Sequence, residues 1–266
     1  MATIAEKYNF VFHELTDKRV EQWPFMDSPV PLVITIIGYL YVIYKLGPQY
    51  MESRKPYNLK KIIAFYNLFQ VFANAIICYS ILISGWLTTY SWGCQPVLYT
   101  TDPDQMRMAK TVWWLFMLKM VDLIETVFFV LRKKKKQISF LHVYHHVSTL
   151  SLVWIGAKYF AGGMATFPML INCFVHVLMY TYYFLALFGK KMQQRLIKWK
   201  QSLTIIQMVQ FTIMILHYLT SLPSSCPVPK LVPTLMAFPN VIFLYYMFYD
   251  FYKNTYMKKS ETNKSL

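Results

Sequence analysis

Three of the six histidines in this chain fall within five residues, at His142, His145 and His146. Positions three and four residues apart lie on the same face of a helix, so the three imidazole rings are expected to face the same way. Imidazole can act as a nucleophile, as a general acid or base, or as a metal ligand. The basic run 132–136 and the apolar run 147–155 flank this window, which places the rings just inside a predicted membrane helix. Because ionisable groups inside a membrane are costly, the spacing predicts a functional site.

The apolar content of the chain predicts an all-α integral membrane protein. Of its 266 residues, 56% are hydrophobic and 18% are aromatic, and a helix that crosses a bilayer needs about 20 mostly apolar residues. Seven such segments are predicted, at 29–47, 62–87, 109–131, 138–157, 166–188, 202–221 and 231–252. Residues 1–27 are polar and of mixed charge, so no cleavable signal peptide is expected. The chain 1–266 is therefore predicted to form a single seven-helix domain with a tail at 253–266.

The net charge of +15 is distributed in a pattern that argues against binding to nucleic acid. Lys and Arg are concentrated in every second loop, at 54–61, 132–136, 190–200 and 253–264. This is the positive-inside pattern of a membrane protein, and it places the N-terminus outside or in the lumen and the C-terminus in the cytosol. The same loops would attract a polyanionic substrate to the cytosolic face.

Two of the four cysteines, Cys94 and Cys226, fall in loops that the charge pattern places on the non-cytosolic side. Cysteines on the oxidising side of the endoplasmic reticulum membrane can pair. The pattern therefore predicts a Cys94–Cys226 disulfide, and two free thiols are the alternative. Cys78 and Cys173 fall inside predicted helices.

Polar residues on four consecutive predicted helices lie at a similar depth, between the cytosolic surface and the membrane midplane. They are Lys119, Asp122, Glu125 and Thr126 on the third helix, the three histidines on the fourth, Asn172, His176, Tyr180 and Tyr183 on the fifth, and Thr204, Gln207 and Gln210 on the sixth. A lone polar residue in a membrane helix is usually explained by helix packing. Four stripes at matching depth are better explained by one site, although Lys119 and Asp122 are explained equally well as a structural ion pair.

Three interpretations of this site follow from the residues alone. Membrane desaturases and hydroxylases hold two irons with several His-rich boxes, whereas this chain has one, so its histidine window and His176 would hold one zinc ion at most. Nucleophilic catalysis is the second interpretation, because imidazole attack on a thioester gives an acyl-imidazole and divides one acyl transfer into two easier steps. The third is a seven-helix receptor or transporter in which the histidines line a passage.

The histidine window resembles the histidine box of the very-long-chain fatty acid elongases (the ELO family, 3-ketoacyl-CoA synthases) over Phe140-Leu141-His142-Val143-Tyr144-His145-His146. The resemblance covers most of the chain. Further matches follow in order at Gly47-Pro48, Arg54-Lys55-Pro56-Tyr57, Tyr66-Asn67, Asn172-x-x-x-His176-x-x-Met179-Tyr180-x-Tyr182-Tyr183, Thr204-x-x-Gln207-x-x-Gln210-Phe211 and Phe251-Tyr252-x-x-x-Tyr256. On the third helix the family reads Lys-x-x-Glu-x-x-Asp-Thr, whereas here the two acids, Asp122 and Glu125, are exchanged. The individual roles of these acids are therefore open.

The resemblance implies a condensing enzyme that joins a long-chain acyl-CoA to malonyl-CoA with loss of CO2, without a metal or another cofactor. It implies a protein of the endoplasmic reticulum membrane whose helices 2–7 enclose a substrate tunnel. His145 would be the nucleophile, and the other catalytic residues would be His142, His146, His176, Asn172 and Gln207. The substrate would be bound by Lys119, Asp122, Glu125, Tyr180, Tyr183, Thr204 and Gln210, and the CoA phosphates by Arg54, Lys55, Lys133 and Lys134. The expected partners are the lipid bilayer, the reductase and dehydratase of the elongation cycle, and a second subunit in a homo- or hetero-oligomer.

Overall fold

The computed structural model describes residues 3–230 and 233–257, and helices are the only regular elements in these two ranges. They are α1 (Ile4–Asn9), α2 (Val30–Met51), α3 (Lys60–Trp86), α4 (Pro103–Leu131), α5 (Phe140–Tyr159), α6 (Thr166–Ala186), α7 (Lys190–Arg195), α8 (Ile197–Leu219) and α9 (Phe238–Tyr252). Short helical turns lie at Phe10–Glu14, Lys135–Gln137, Gly163–Ala165, Pro233–Ala237 and Lys253–Met257. Each predicted span coincides with a helix. The start of the span predicted at 231–252 and most of the tail predicted at 253–266 lie outside the described residues.

Four of the described helices are long and apolar enough to cross a membrane, namely Val30–Met51, Lys60–Trp86, Gly163–Ala186 and Ile197–Leu219. The other three predicted spans fall on helices of a different character. The α4 helix carries the charged residues of the predicted site, α5 carries the histidines, and α9 continues without a break into the helical turns at Pro233–Ala237 and Lys253–Met257. The all-helical class is confirmed, and the number of seven crossings stays a prediction.

The described residues form two compact units. Unit 1 contains residues 3–59 and 79–169, and unit 2 contains 60–78, 170–230 and 233–257. This division does not test the prediction that residues 1–266 form a single domain, which stays a prediction. The histidine window lies in unit 1, and the polar stripes of α6 and α8 that begin at Asn172 and Thr204 lie in unit 2.

The two central helices of unit 1, α4 and α5, pack side by side along their length. Each begins at a capping side chain, which satisfies backbone amides that have no partner inside the helix. The Asp102 carboxylate accepts hydrogen bonds from the amides of Asp104 (3.2 Å) and Gln105 (3.1 Å) at the start of α4. The hydrogen bond from the Thr100 hydroxyl, together with these amides, lowers the pKa of the Asp102 carboxyl, so that the cap stays charged. The Ser139 hydroxyl caps α5 in the same way.

The N-terminal segment 16–27 packs across the ends of α4 and α5 that lie away from the histidine window. The indole of Trp113 in α4 donates to the Pro24 carbonyl (3.0 Å), and the indole of Trp154 in α5 donates to the Phe25 carbonyl (2.9 Å). Lys158 is fully buried and donates to the carbonyl of Met26. The segment is therefore held by hydrogen bonds from both helices.

Arg19 anchors the same segment. Its guanidinium forms a buried ion pair with Asp17 (2.6 Å), in which the two side chains are 3% and 0% exposed. It also donates to the carbonyls of Leu98 (2.9 Å), Gln105 (3.3 Å) and Ala161 (3.2 Å). The charge count treats Arg19 and Lys158 as loop charges, but the structure buries both because each finds backbone carbonyls to bind.

The packing of unit 2 is largely aromatic. The α8 and α9 helices lie together, with the rings of Phe211 and Phe248 at 5.3 Å between centroids. Edge-to-face and tilted ring pairs at such distances are favourable packing arrangements. Cys226, in the loop after α8, is buried.

The two cysteines in loops are disulfide-bonded, and the two cysteines in helices are free thiols. Cys94 in unit 1 and Cys226 in unit 2 are each disulfide-bonded, whereas Cys78 and Cys173 are free. The pairing of Cys94 with Cys226 stays a prediction.

Candidate functional site

The three histidines of the window lie together in the first turns of α5. The Ser139 hydroxyl accepts a hydrogen bond from the backbone amide of His142 (3.2 Å) and so fixes where the helix begins. The ring of His142 meets the ring of His146 edge-on at 4.3 Å between centroids, and the rings of His145 and His146 are 5.8 Å apart. The i, i+3, i+4 spacing thus gives one cluster of imidazoles in unit 1.

The α4 helix supplies the polar residues around this cluster. Lys119 and Asp122 form an ion pair of 3.1 Å in which each side chain is 3% exposed. The carboxylate of Glu125 lies 3.8 Å from His146 Nε2, beyond ordinary hydrogen-bond distance. The two acids that are exchanged relative to the elongase pattern therefore differ in their surroundings, since Asp122 contacts a lysine and Glu125 faces a histidine.

Thr126 contacts the histidine cluster directly. Its hydroxyl lies 2.9 Å from His142 Nε2 and 2.9 Å from the hydroxyl of Tyr39 in α2. Both Thr126 and Tyr39 are buried. The sequence alone indicated that Thr126 belongs to the motif on the third predicted span, which is α4, and it assigned no site residue to α2.

The residues able to hold a metal ion differ from those expected from the sequence. The ligand atoms of Glu125, His142 and His146 lie within 4.8 Å of one another. Two imidazoles and one carboxylate form a ligand set that zinc accepts in enzymes. His145 is not part of this group, so the residue predicted to be the nucleophile lies outside the potential ligand set.

The polar stripe of α6 lies in unit 2 and is aromatic in character. The rings of His176 and Tyr180 are 5.7 Å apart, and the rings of Tyr180 and Tyr183 are 6.0 Å apart. Tyr66 of α3 meets Tyr180 edge-on at 5.9 Å. Tyr180 is fully buried and His176 is 6% exposed. Asn172, one turn before His176, is half-buried.

The α8 residues of the predicted site face apolar as well as polar neighbours. The Gln207 amide donates to the sulfur of Met179 (3.9 Å), and the Gln210 amide donates to the sulfur of Met214 (3.9 Å). Thr204 is buried and donates to the Lys200 carbonyl (3.4 Å). Thioether sulfur is a weak acceptor, so the two glutamines keep hydrogen-bonding capacity for a better partner. The meeting of the unit 1 and unit 2 residues in one site stays a prediction.

The four basic residues assigned to CoA lie on exposed loops of unit 1. They are Arg54, Lys55, Lys133 and Lys134. The Arg54 guanidinium covers the ring of Tyr50 at 4.1 Å, and Lys133 donates to the carbonyl of Glu52 (3.3 Å). The loops before α3 and after α4 thus meet, which brings their positive charges near each other.

Comparison with known proteins gives the family. The model of the ELO family, described as the GNS1/SUR4 family, matches residues 24–264. The chain belongs to the ELO family. A very long chain fatty acid elongase of Aedes aegypti is 42% identical over 255 residues, which are 94% of this chain and 71% of that protein.

Two vertebrate ELO proteins are similar over as much of the chain. Very long chain fatty acid elongase 4 of Macaca mulatta is 41% identical over 253 residues, 94% of this chain and 80% of that protein. Very long chain fatty acid elongase 1 of Homo sapiens is 37% identical over 253 residues, 94% of this chain and 90% of that protein. The resemblance of the motifs to the elongases is confirmed. With its apolar helices, this ELO protein is a multi-pass membrane protein.

The sequence motifs of this ELO protein did not include two buried amide side chains of α3, Gln70 and Asn74. The Gln70 amide donates to the Tyr66 hydroxyl (3.1 Å), and the Asn74 amide donates to the Gln70 carbonyl (2.9 Å). Gln70 and Asn74 are both fully buried in unit 2. Gln70 and Asn74 follow Tyr66 at i+4 and i+8, which places all three on one face of the helix, and this stripe is a signal that could have been found. Tyr39 had no such signal, because it lies among several tyrosines on an apolar helix.

Proposed function

We propose that this ELO protein is the condensing enzyme of a fatty acid elongation cycle. It joins a long-chain acyl-CoA to malonyl-CoA, releases CO2 and CoA, and gives a 3-ketoacyl-CoA two carbons longer. The proposal is supported above all by the cluster of three imidazoles on α5, facing Glu125 and Thr126, in a chain whose relatives are named very long chain fatty acid elongases.

The first half of the proposed reaction is an acyl transfer to His145. A ring nitrogen of His145 attacks the thioester carbonyl, the carbon–sulfur bond breaks, and CoA leaves as the thiolate. The proton on the other ring nitrogen of His145 is lost to a neighbouring base, which we propose is His146, whose ring centroid lies 5.8 Å away. Glu125 stabilises the protonated form of His146, because a carboxylate at 3.8 Å favours the imidazolium.

The second half forms the carbon–carbon bond. Malonyl-CoA loses CO2, and the electron pair of the broken bond becomes an enolate whose carbon attacks the acyl-imidazole. The imidazole of His145 leaves and recovers its proton. His176, Asn172 and Gln207 supply hydrogen bonds to the oxyanion and the enolate. Loss of CO2 drives this step, so the reaction needs no ATP, metal or other cofactor.

The proposed membrane arrangement places the reactants as this chemistry requires. The chain crosses the endoplasmic reticulum membrane seven times, with a lumenal N-terminus and a cytosolic C-terminus. The second to seventh of these crossings enclose a tunnel for the acyl chain, whose walls include Lys119, Asp122, Tyr180, Tyr183, Thr204 and Gln210. CoA phosphates bind the cytosolic Arg54, Lys55, Lys133 and Lys134. The 3-ketoacyl product passes to the reductase and dehydratase of the cycle, which are proposed as partners, as is a second elongase subunit.

The test is condensation by purified wild-type protein and by the His145→Ala variant, followed with radiolabelled malonyl-CoA and a panel of acyl-CoAs. We expect the variant to lose activity by at least about a thousandfold, because a covalent catalyst cannot act without its nucleophile. His13→Ala, in the helical turn Phe10–Glu14, is the matched control and should keep full activity. Mass spectrometry of the wild-type enzyme with acyl-CoA alone should find an acyl group on His145. Full activity of His145→Ala would contradict the proposal.

A second candidate function is that of a metal-dependent membrane oxygenase with a histidine box. The observation that favours it is the grouping of Glu125, His142 and His146 within 4.8 Å. This function requires a bound metal, O2 and an electron donor. Elemental analysis of the purified protein distinguishes the two candidates, since stoichiometric iron whose removal abolishes activity would favour the oxygenase. We expect no stoichiometric metal.

A further inference from the structure

The histidine cluster has a neighbour that no sequence motif includes. Tyr39 belongs to α2, a helix that exposes large apolar side chains such as Ile34 and Ile37 on its other face. Its side chain is only 6% exposed, and its hydroxyl lies 2.9 Å from the Thr126 hydroxyl. Thr126 in turn lies 2.9 Å from His142 Nε2. Two buried hydroxyl groups and the half-buried His142 imidazole, from three helices, thus form one hydrogen-bonded chain that ends on the histidine window.

The packing of α2 against α4 keeps the hydrogen-bonded chain of Tyr39, Thr126 and His142 in place. A Cβ added to Gly47 would lie 2.7 Å from Val130 Cγ1, so the two helices approach closely at a point one helical turn beyond Thr126. Between Tyr39 and Gly47, α2 contains one wider, π-helical turn at Val42–Leu46. Such turns occur frequently at functional sites. The glycine contact and the tyrosine contact together fix α2 on the face of α4 that carries the site.

The direction of the hydrogen bonds follows from counting protons. The Tyr39 phenol has one proton, and Thr126 is the only hydrogen-bond partner of its hydroxyl within the described part of the chain. A buried donor is rarely left without an acceptor, so Tyr39 donates to Thr126. The Thr126 proton is then directed to His142 Nε2, which accepts it. The proton of the neutral His142 ring must therefore be on Nδ1.

We infer that Tyr39 is a positioning residue of the condensation reaction, which sets the tautomer and the ring orientation of His142 through Thr126. The inference rests on the proposed function. With Nε2 occupied as an acceptor, His142 presents its Nδ1–H as a donor and cannot act as the nucleophile through Nε2. Its ring meets His146 edge-on at 4.3 Å, so a change in its orientation is transmitted to the imidazole beside Glu125. The hydrogen bonds from Tyr39 through Thr126 thus give His142 a positioning role, which differs from the nucleophilic role of His145.

The kinetic test removes single hydroxyl groups. Tyr39→Phe and Thr126→Val should each lower kcat by roughly tenfold, since one charge-free hydrogen bond is lost, and should leave KM for both CoA substrates unchanged. Because both act through one chain, the double variant should be no slower than Thr126→Val alone. Thr126→Ser keeps the hydroxyl group and should therefore retain the wild-type kcat. Tyr41→Phe, on the exposed face of the same helix, is the matched control and should have no effect.

A spectroscopic test separates this inference from the proposed function. With 15N-labelled histidine, His142 is identified as the signal lost in His142→Asn, and it should show the Nδ1–H tautomer in the wild type and a mixture in Tyr39→Phe. An unchanged tautomer, additive losses in the double variant, or a change in KM without kcat would overturn the positioning role. If the wild type produced no 3-ketoacyl-CoA, the proposed function would fail, whereas the tautomer result would still report on the hydrogen-bonded chain.

Discussion

The two ends of the α4–α5 pair in unit 1 differ in whether every charged or ionisable side chain has a direct partner. At the end that binds the N-terminal segment, the cationic and indole donors contact carbonyls or a carboxylate directly, as Arg19 does with Asp17 at 2.6 Å. The histidine end also has direct contacts, between Thr126 and His142 (2.9 Å) and between Lys119 and Asp122 (3.1 Å). Glu125 and His146, in contrast, face each other at 3.8 Å, which is too long for a hydrogen bond.

This difference separates groups that stabilise from groups that react. A buried ion held by short, fixed contacts contributes to the folded state and has no capacity left for another partner. A carboxylate and an imidazole held near each other without a bond can exchange protons or bind substrate as charge develops. We therefore expect substitutions at the first end to change stability and substitutions at the histidine end to change the rate.

The largest effect is expected at the N-terminal segment, from Arg19→Met. This change leaves the Asp17 carboxylate buried without its cation, and breaking a buried ion pair costs about 3–5 kcal/mol. Unfolding followed in detergent should show a large loss of stability, whereas the condensation rate per folded molecule should be unchanged. Lys18→Met is the control, since the Lys18 side chain is 62% exposed. Equal stability of the two variants would remove the contrast between the two ends.

The next effect is expected at the histidine end, from Glu125→Gln. The change removes the charge beside His146 with little change in volume, so kcat should fall by about a hundredfold or more, as for loss of an acid–base group. The unfolding midpoint should stay near that of the wild type.

Two further variants sharpen this result. Glu125→Asp keeps the charge and matches the acid that the elongases have at this position, so it should retain most of the activity. Glu14→Gln, on the exposed surface, should have no effect. If Glu125→Gln lowered stability as strongly as Arg19→Met, the carboxylate would be a structural group and the comparison would fail.

The sequence predicted the histidine end better than the opposite end. The H-x-x-H-H spacing and the helical period place imidazoles on one face, and these depend on local geometry alone. The stripe of Lys119, Asp122 and Glu125 follows from the same period. The ion pair of Asp122 with Lys119 was one of two interpretations open from the sequence. The approach of Glu125 to His146 did not follow, because it depends on how α4 packs against α5.

The opposite end could not be predicted because its contacts join residues far apart in the chain. Lys158 binds carbonyls about 130 residues earlier, at Met26 and Asp27, and no periodicity encodes such pairs. The charge pattern counted Arg19 and Lys158 as loop charges, because a buried cation that binds carbonyls and an exposed loop cation look alike in a sequence. Tyr39 was missed for the same reason, since its role depends on the approach of α2 to α4.

The smallest effect is expected from Gly163→Ala, again at the end that binds the N-terminal segment. Gly163 has φ +56°, a left-handed conformation that costs a residue with a side chain about 1–2 kcal/mol. An added Cβ would also lie 2.7 Å from the Gln95 carbonyl oxygen, and backbone cannot move aside cheaply. Gly38→Ala provides the opposite case, because nothing lies within 4 Å of an added Cβ inside α2 and alanine favours a helix over glycine by about 0.5–1 kcal/mol. We expect Gly163→Ala to lower the unfolding midpoint and Gly38→Ala to raise it, with the condensation rate unchanged in both. A lower rate in Gly163→Ala at full stability would mean that this end also controls the chemistry.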